Sequence, residues 1–132
     1  MNKNKIEFLE MYLSLYVSHT VILDDANSSD PEYVVLDVRN APANVKKDQI
    51  AGAIAAPAKD LSHMISKLDI SKKYVVYDWT AGTILGKQAL YILLSAGFEA
   101  YELAPALEGW KGMNLPIAVS YTHLTLPTIC SE

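Results

Sequence analysis

Tyr74-Val75-Val76-Tyr77-Asp78-Trp79-Thr80-Ala81-Gly82-Thr83 is the stretch that decides the fold. Its first four residues are all β-branched or aromatic, the composition that suits a pleated strand. The strand reading stops at Asp78. A loop from Asp78 to Gly82 then leads into an apolar run from Thr83 to Ala96, and Gly97 stands where a helix closes with a left-handed glycine. A strand that passes through a short loop into a helix is one half of a βα unit.

The same alternation continues on both sides. Upstream, Tyr33-Val34-Val35-Leu36 is a continuous apolar run ending in Asp37, which reads as a buried strand, and Asn40-Ala41-Pro42 breaks it. A short strand is expected at Ala53 to Ala55. Asp60 is the expected N-cap of a helix whose Leu61, Met64, Ile65 and Leu68 share one face. Downstream, Ala100 to Leu103 reads as a strand, Leu107 to Lys111 as a last helix and Gly112 to Pro116 as an exit turn. Strands alternating with helices predict an α/β fold: a central, mostly parallel sheet with helices on both faces. Ligand sites in such sheets lie beyond the carboxyl ends of the strands. Asp37-Val38-Arg39 and the Asp78 loop both occupy that position, so they are expected on one rim.

Residues 5–17 carry Ile6, Leu9, Leu13 and Tyr16/Val17 at helical spacing, widened by Phe8, Tyr12 and Leu15. They predict an extra N-terminal helix, expected to cover the sheet of its own domain, with docking on another chain as the alternative. Residues 24–31, DDANSSDP, read as a linker. The expected division is therefore an N-terminal helix and linker over 1–31, a domain over 32–118 and a tail over 119–132. The tail, VSYTHLTLPTICSE, differs in character from the rest and is read as foreign to the domain. A native extension with an edge strand from Tyr121 to Leu126 is the competing reading.

Composition limits the function. The chain has 132 residues, 51% of them hydrophobic and 20% charged, in keeping with one packed domain. A net charge of −4 argues against a nucleic-acid surface. No stretch has the length and apolarity of a membrane span, and Glu7 and Glu10 interrupt what could otherwise be a leader's apolar core. A cytoplasmic protein is expected. Cys130 is the only cysteine, which excludes an internal disulfide, and His19, His63 and His123 share no ligand spacing. No metal and no cofactor are expected. Gly82, Gly109 and Gly112 do not form a dinucleotide fingerprint.

Taken together, these segments resemble the rhodanese family of sulfurtransferases. Leu36-Asp37-Val38-Arg39 is similar to its strand-ending Asp-x-Arg signature. Ile50-Ala51-Gly52-Ala53-Ile54, followed by Pro57, resembles its Ile-x-Gly-Ala segment, with Gln49 where histidine is usual. The 74–77 strand with its loop and helix, then Ala96-Gly97-Phe98, resembles the active-site strand, loop and Gly-Phe turn. Leu107 to Pro116, with Trp110 and Pro116, is similar to the closing Trp-x-x-x-Gly-x-Pro stretch. The likeness covers residues 32–117 in family order.

The resemblance implies a cysteine immediately after the 74–77 strand, carrying sulfur as a persulfide in a loop of inward-pointing N–H groups and closed by an arginine. Such a loop stabilises anions and lowers a thiol's pKa. Here Asp78 replaces the cysteine, Thr83 stands where the arginine is expected, and Pro105-Ala106 replaces the usual glycine pair. A carboxylate cannot hold a transferable sulfane sulfur. Asp78, Trp79, Thr80, Ala81, Gly82 and Thr83 are thus read as a degenerate active-site loop with no catalytic residue. Asp78 is expected to fill the anion site, accepting loop N–H groups as an N-cap does. Asp37 and Arg39 are read mainly as ties between the strand end and its loops, Arg39 being the one cation expected on the rim. Trp79 either packs under the next helix or stands exposed as a binding anchor.

The expected function is an inactive homologue serving as a binding or regulatory module, with a protein partner at the Asp78–Thr83 rim or on the N-terminal helix. The alternatives are an enzyme of the family working through a partner's thiol and an Asp78-dependent phosphohydrolase. The second would need cations around the phosphate that the loop does not supply.

Overall fold

The structure is a computed structural model, and it describes residues 2–120. Its frame is a five-stranded, wholly parallel sheet in the order β1-β6-β5-β2-β4. These strands are β1 (Tyr16–Val17), β2 (Tyr33–Asp37), β4 (Ile54–Ala55), β5 (Lys73–Tyr77) and β6 (Glu99–Leu103). The helices are α1 (Lys3–Ser14), α2 (His19–Ala26), α3 (Ala43–Lys46), α4 (Ala58–Met64), α5 (Leu85–Ser95) and α6 (Ala106–Gly112). A small antiparallel ladder pairs β3 (Asp48–Ile50) with β7 (Ile117–Val119).

The strand β5 lies between β2 and β6, and only its first residue escapes full burial. Successive side chains of a strand point to opposite faces, so this one run builds two cores. Tyr74 and Val76 join Leu36, Leu61, Leu90, Leu93 and Phe98 beneath α4 and α5. Val75 and Tyr77 join Ile22, Leu103, Leu107 and Trp110 beneath α2 and α6. Gly97 has φ +90, as expected of the residue that closes α5.

Several expectations need correction. Asp60 does not cap α4: the helix begins at Ala58 after Pro57 and has no side-chain cap. Its leading N–H groups are taken from outside, Ala58 by the Val38 carbonyl at 3.0 Å and Lys59 by Asn40 Oδ1 at 3.0 Å. Asp60 therefore sits inside the first turn. The expected N-terminal helix is shorter, because Tyr16 and Val17 leave it to pair with Glu102 and Leu103 of β6. Part of the expected linker is α2, whose Ile22 is buried in the core. The sheet therefore begins well before residue 32.

The far boundary shifts as well. Val119 pairs with Asp48, and the Ser120 N–H donates to the Lys47 carbonyl at 3.0 Å, so the ladder runs past 118. The alternative edge strand at Tyr121 to Leu126, together with His123 and Cys130, lies outside the described residues. The N-terminal helix also fails to cover the sheet. No residue of α1 is buried.

Two non-glycine residues explain departures in the closing stretch. Asn114 has φ +58 between Trp110 and Pro116, and asparagine is among the side chains that tolerate that region. Ala106, at φ +57, takes up the same conformation where the resemblance implies glycine. Gly109 remains necessary, because a Cβ there would lie 2.7 Å from Pro105 Cβ.

Candidate functional site

The two strand-end segments do meet at one rim. Val38 follows β2 and donates its N–H to the Tyr77 carbonyl at 3.2 Å, which holds the Asp37 and Asp78 loops together. Asp37 and Arg39 are both fully buried there. Arg39 donates Nε to Asp37 Oδ1 at 2.9 Å, Nη2 to Asp37 Oδ2 at 2.5 Å and Nη2 to the Asp48 carbonyl at 2.6 Å. The Tyr77 hydroxyl donates to Asp37 Oδ2 at 2.9 Å and accepts the Ile50 N–H at 3.1 Å. The network joins β2, β3 and β5, the tie expected of Asp37 and Arg39.

Burial opposes the Arg39 charge, but the hydrogen bonds and charge of Asp37 outweigh it and raise the guanidinium's pKa. Burial, then Asp37, drive the Tyr77 hydroxyl far above its ordinary value. Arg39, the one cation expected on the rim, is buried there and is not presented to solvent. Its carbon Cζ lies 4.4 Å from the centroid of the Trp79 ring, which covers it, and Nη1 has no hydrogen-bond partner among the described residues. The ring's electron-rich face is what the guanidinium meets instead.

Asp78 follows β5 directly and is buried. Its Oδ1 accepts the Trp79 N–H at 2.7 Å and its Oδ2 accepts the Thr83 hydroxyl, so both oxygens are engaged within the loop. The Thr83 hydroxyl also lies 3.0 Å from the Thr80 carbonyl. The helix after the loop starts only at Leu85, without a side-chain cap. Asp78 thus accepts one loop N–H, that of Trp79, and closes the loop through the Thr83 hydroxyl, while α5 starts without a side-chain cap. Ala81 and Gly82 form the exposed crown between these anchors, with Thr80 half-buried beside them.

Trp79 lies over Arg39, a position that neither reading gave it. One ring face covers Arg39, yet the residue remains 40% exposed. The Trp79 carbonyl accepts the Glu108 N–H at 3.0 Å, and the Asp78 carbonyl accepts the Leu107 N–H at 3.1 Å, so α6 is docked on the loop. Trp79, Thr80, Leu107, Glu108 and Lys111 line a shallow cleft of about 330 Å³. The cation at this cleft is Lys111, held at 2.7 Å from Asp48. Sequence spacing alone does not single it out, because only the packing of α6 brings it to the rim. Among the described residues no group of three or more His, Cys, Asp or Glu is placed to hold a metal ion, and no helix there is long and apolar enough to cross a membrane.

A third buried acid lies behind the loop, and the sequence offers no sign of it. Glu102, 3% exposed, receives Lys87 Nζ at 3.3 Å. Its carboxylate sits against Gly86, where a Cβ would come within 2.5 Å of Oε2. Burial holds the Glu102 carboxyl above the ordinary carboxylate range; Lys87 opposes this and the nearby Asp78 charge adds to it. A carboxyl whose pKa is raised on folding contributes stability below its unfolded value and loses it as pH rises through the folded value. Glu102→Gln is therefore expected to raise the melting temperature at pH 7, with the gain shrinking as pH falls through the raised folded value and gone below the unfolded value of about 4.5. A melting series from pH 4 to pH 8 checks this, and a variant less stable than wild type at pH 7 would contradict it.

Comparison with known proteins agrees with the architecture. The model of the rhodanese-like domain matches residues 23–113. The crystal structure of a full-length protein from Lactobacillus plantarum is 67% identical, covering 90% of this chain and 99% of that one, with a TM-score of 0.87. The rhodanese-like domain of an Anabaena protein is 28% identical over 89% of this chain and 88% of its own, with a TM-score of 0.67. A Bacillus halodurans protein at 22% identity shares the fold, at a TM-score of 0.77 over 89% of this chain and 86% of its own. No curated protein matches.

Proposed function

The chain belongs to the rhodanese-like domain family, whose chemistry is sulfur transfer, and from that premise we propose that it is inactive in this transfer and serves as a binding or regulatory module. The observation that carries the reading is the engaged carboxylate of Asp78. Where a persulfide would sit there is a buried acid whose two oxygens accept the Trp79 N–H and the Thr83 hydroxyl. A carboxylate cannot accept a sulfane sulfur, and a fixed negative charge at the loop mouth repels thiosulfate and phosphate alike. Arg39 lies beneath Trp79 and is committed to Asp37, so it offers no charge to an incoming anion. That argues equally against phosphoryl transfer by Asp78.

What the rim still offers is a contact surface. A half-exposed tryptophan stacked on a buried guanidinium, beside a shallow cleft carrying Glu108 and Lys111, has the make-up of a protein-binding anchor. The partner chemistry that fits is a peptide or loop presenting an apolar side chain to the ring and a polar group to that charged pair.

Thiosulfate-to-cyanide transfer tests the first half. Wild-type protein is expected to form no thiocyanate above the protein-free blank, and steady turnover would refute the reading. Asp78→Cys is the informative comparison, because turnover confined to it shows that the cradle persists and only the nucleophile is missing. Trp79→Ala tests the second half. It is expected to deplete the partners retained by wild-type protein in a pull-down, and an unchanged set removes the rim as the interface.

A further inference from the structure

We propose that Arg39 and Lys46 form an anion site on the rim, that the Trp79 ring is its lid, and that it takes an oxyanion once the ring has turned aside. This site deepens the reading of the rim as a contact surface. It rests on that reading only for the source of the oxyanion, a carboxylate of the protein that engages Trp79.

The charge balance points to a missing anion. Arg39 and Lys46 share one counter-ion, since Asp37 Oδ2 lies 2.5 Å from Arg39 Nη2 and 3.9 Å from Lys46 Nζ. Asp48, the other carboxylate whose charge Arg39 feels, is held by Lys111 at 2.7 Å. Among the described residues the cluster therefore sets three cations against two carboxylates. Asp78 does not restore the balance, because its oxygens are engaged by the Trp79 N–H and the Thr83 hydroxyl and its charge falls on Glu102. Glu108 is exposed on the cleft, where water screens it. Buried ionised groups are normally paired, so the surplus calls for an anion.

Hydrogen-bond capacity is left over at the same place. Arg39 is fully buried, with Nε and Nη2 taken by Asp37 and the Asp48 carbonyl. Nη1 has no partner among the described residues. Lys46, also buried, reaches only Asp37 there, and beyond hydrogen-bond distance. Unsatisfied buried donors are rare in folded proteins, and a bound ion is one of the few things that accounts for them.

The lid is free to move. The Trp79 ring lies over Arg39 Cζ at 4.4 Å, which shuts the guanidinium off from solvent anions while the ring is in place. The loop holds Trp79 through its backbone, by Asp78 Oδ1 on its N–H and the Glu108 N–H on its carbonyl. Its indole nitrogen makes no hydrogen bond among the described residues, so the side chain can turn without breaking either tie. What keeps it down is packing and the cation–π contact, a modest latch. A partner that takes hold of the exposed ring at the cleft can lift it and set a carboxylate on the two cations.

Arg39 is the chain's one arginine, so the arginine reagent phenylglyoxal, read at the Arg39 peptide by mass spectrometry, reports on this site alone. Trp79→Ala is expected to be labelled on the order of tenfold faster than wild type, and Trp79→Phe, which keeps an aromatic face, at close to the wild-type rate. Circular dichroism confirms the folding of each variant. Sodium sulfate is expected to slow labelling of Trp79→Ala saturably, and more than sodium chloride at equal ionic strength. Adding Lys46→Met is expected to weaken that protection. Wild-type protein is expected to gain no protection from sulfate, in keeping with an oxyanion that arrives on a partner. Protection of wild type equal to that of Trp79→Ala would overturn the partner as the source and assign the site to free anions. Equal labelling of wild type and Trp79→Ala overturns the lid, and labelling of Trp79→Ala that sulfate does not slow overturns the site. None of these readouts uses the partners lost or kept in the Trp79→Ala pull-down, so either reading can fail while the other stands.

Discussion

Asp37→Ala is expected to destabilise the protein by about 3–5 kcal/mol, the range for removing one partner of a buried ion pair. Asp37 and Arg39 are both 0% exposed, so solvent cannot replace the lost carboxylate. Three groups lose their acceptor or counter-charge together. They are the Arg39 guanidinium, the Tyr77 hydroxyl and, at 3.9 Å, the Lys46 ammonium. Arg39 Nη1 already has no partner among the described residues, which leaves the guanidinium little room to compensate. Adding Arg39→Met removes the stranded charge, so the double variant is expected to be less unstable than Asp37→Ala alone. Urea denaturation midpoints of the two variants decide the matter. A loss below about 1 kcal/mol in Asp37→Ala would mean that the pair contributes no more than an exposed one.

Trp110→Ala is expected to cost a similar amount, about 3–5 kcal/mol, by a different route. Trp110 is 2% exposed and fills the core between α6, β3 and the sheet together with Leu107, Ile50 and Tyr77. Its Nε1–H donates to the Pro116 carbonyl at 2.8 Å, and that residue's neighbour begins β7. Alanine leaves a void and frees the segment that carries Ile117 to Ile50. Trp110→Phe retains most of the buried ring and loses the hydrogen bond, worth about 1 kcal/mol. The separation of the two melting transitions measures cavity against hydrogen bond. Equal losses in both variants would show that the indole N–H, not the filled volume, is the larger contribution.

The degree to which the fold could be read in advance follows the range of the interactions involved. Tyr74 to Tyr77 and Tyr33 to Leu36 are legible because a strand buried on both faces needs an uninterrupted apolar run, a local and redundant signal. Gly97 is legible because a left-handed helix end excludes most side chains. Asp60 misleads: it is a good capping residue close to a helix start, but the leading N–H groups of that helix have partners in Val38 and Asn40. Tyr16-Val17 misleads in a similar way. Two residues that continue a helical stripe are drawn into the sheet by the free edge of β6, and helical periodicity cannot register that competition.

The candidate site divides along the same line. The sequence by itself determined that Asp78 stands where the resemblance places a cysteine and that Thr83 stands in place of an arginine, the two substitutions from which the loss of sulfur transfer is proposed. Those statements depend on residue identity and chain order, which are local. Only the tertiary structure decided that Thr83 closes on Asp78, that Arg39 is sealed beneath Trp79 and that Lys111 supplies the charge at the cleft. It also revealed the buried Glu102 against Gly86 and the bare face of α1. The physical reason is that burial and pairing belong to segments far apart in the chain. Arg39 meets Trp79 across forty residues and Lys111 meets Asp48 across sixty-three, and no local pattern of side chains encodes either approach.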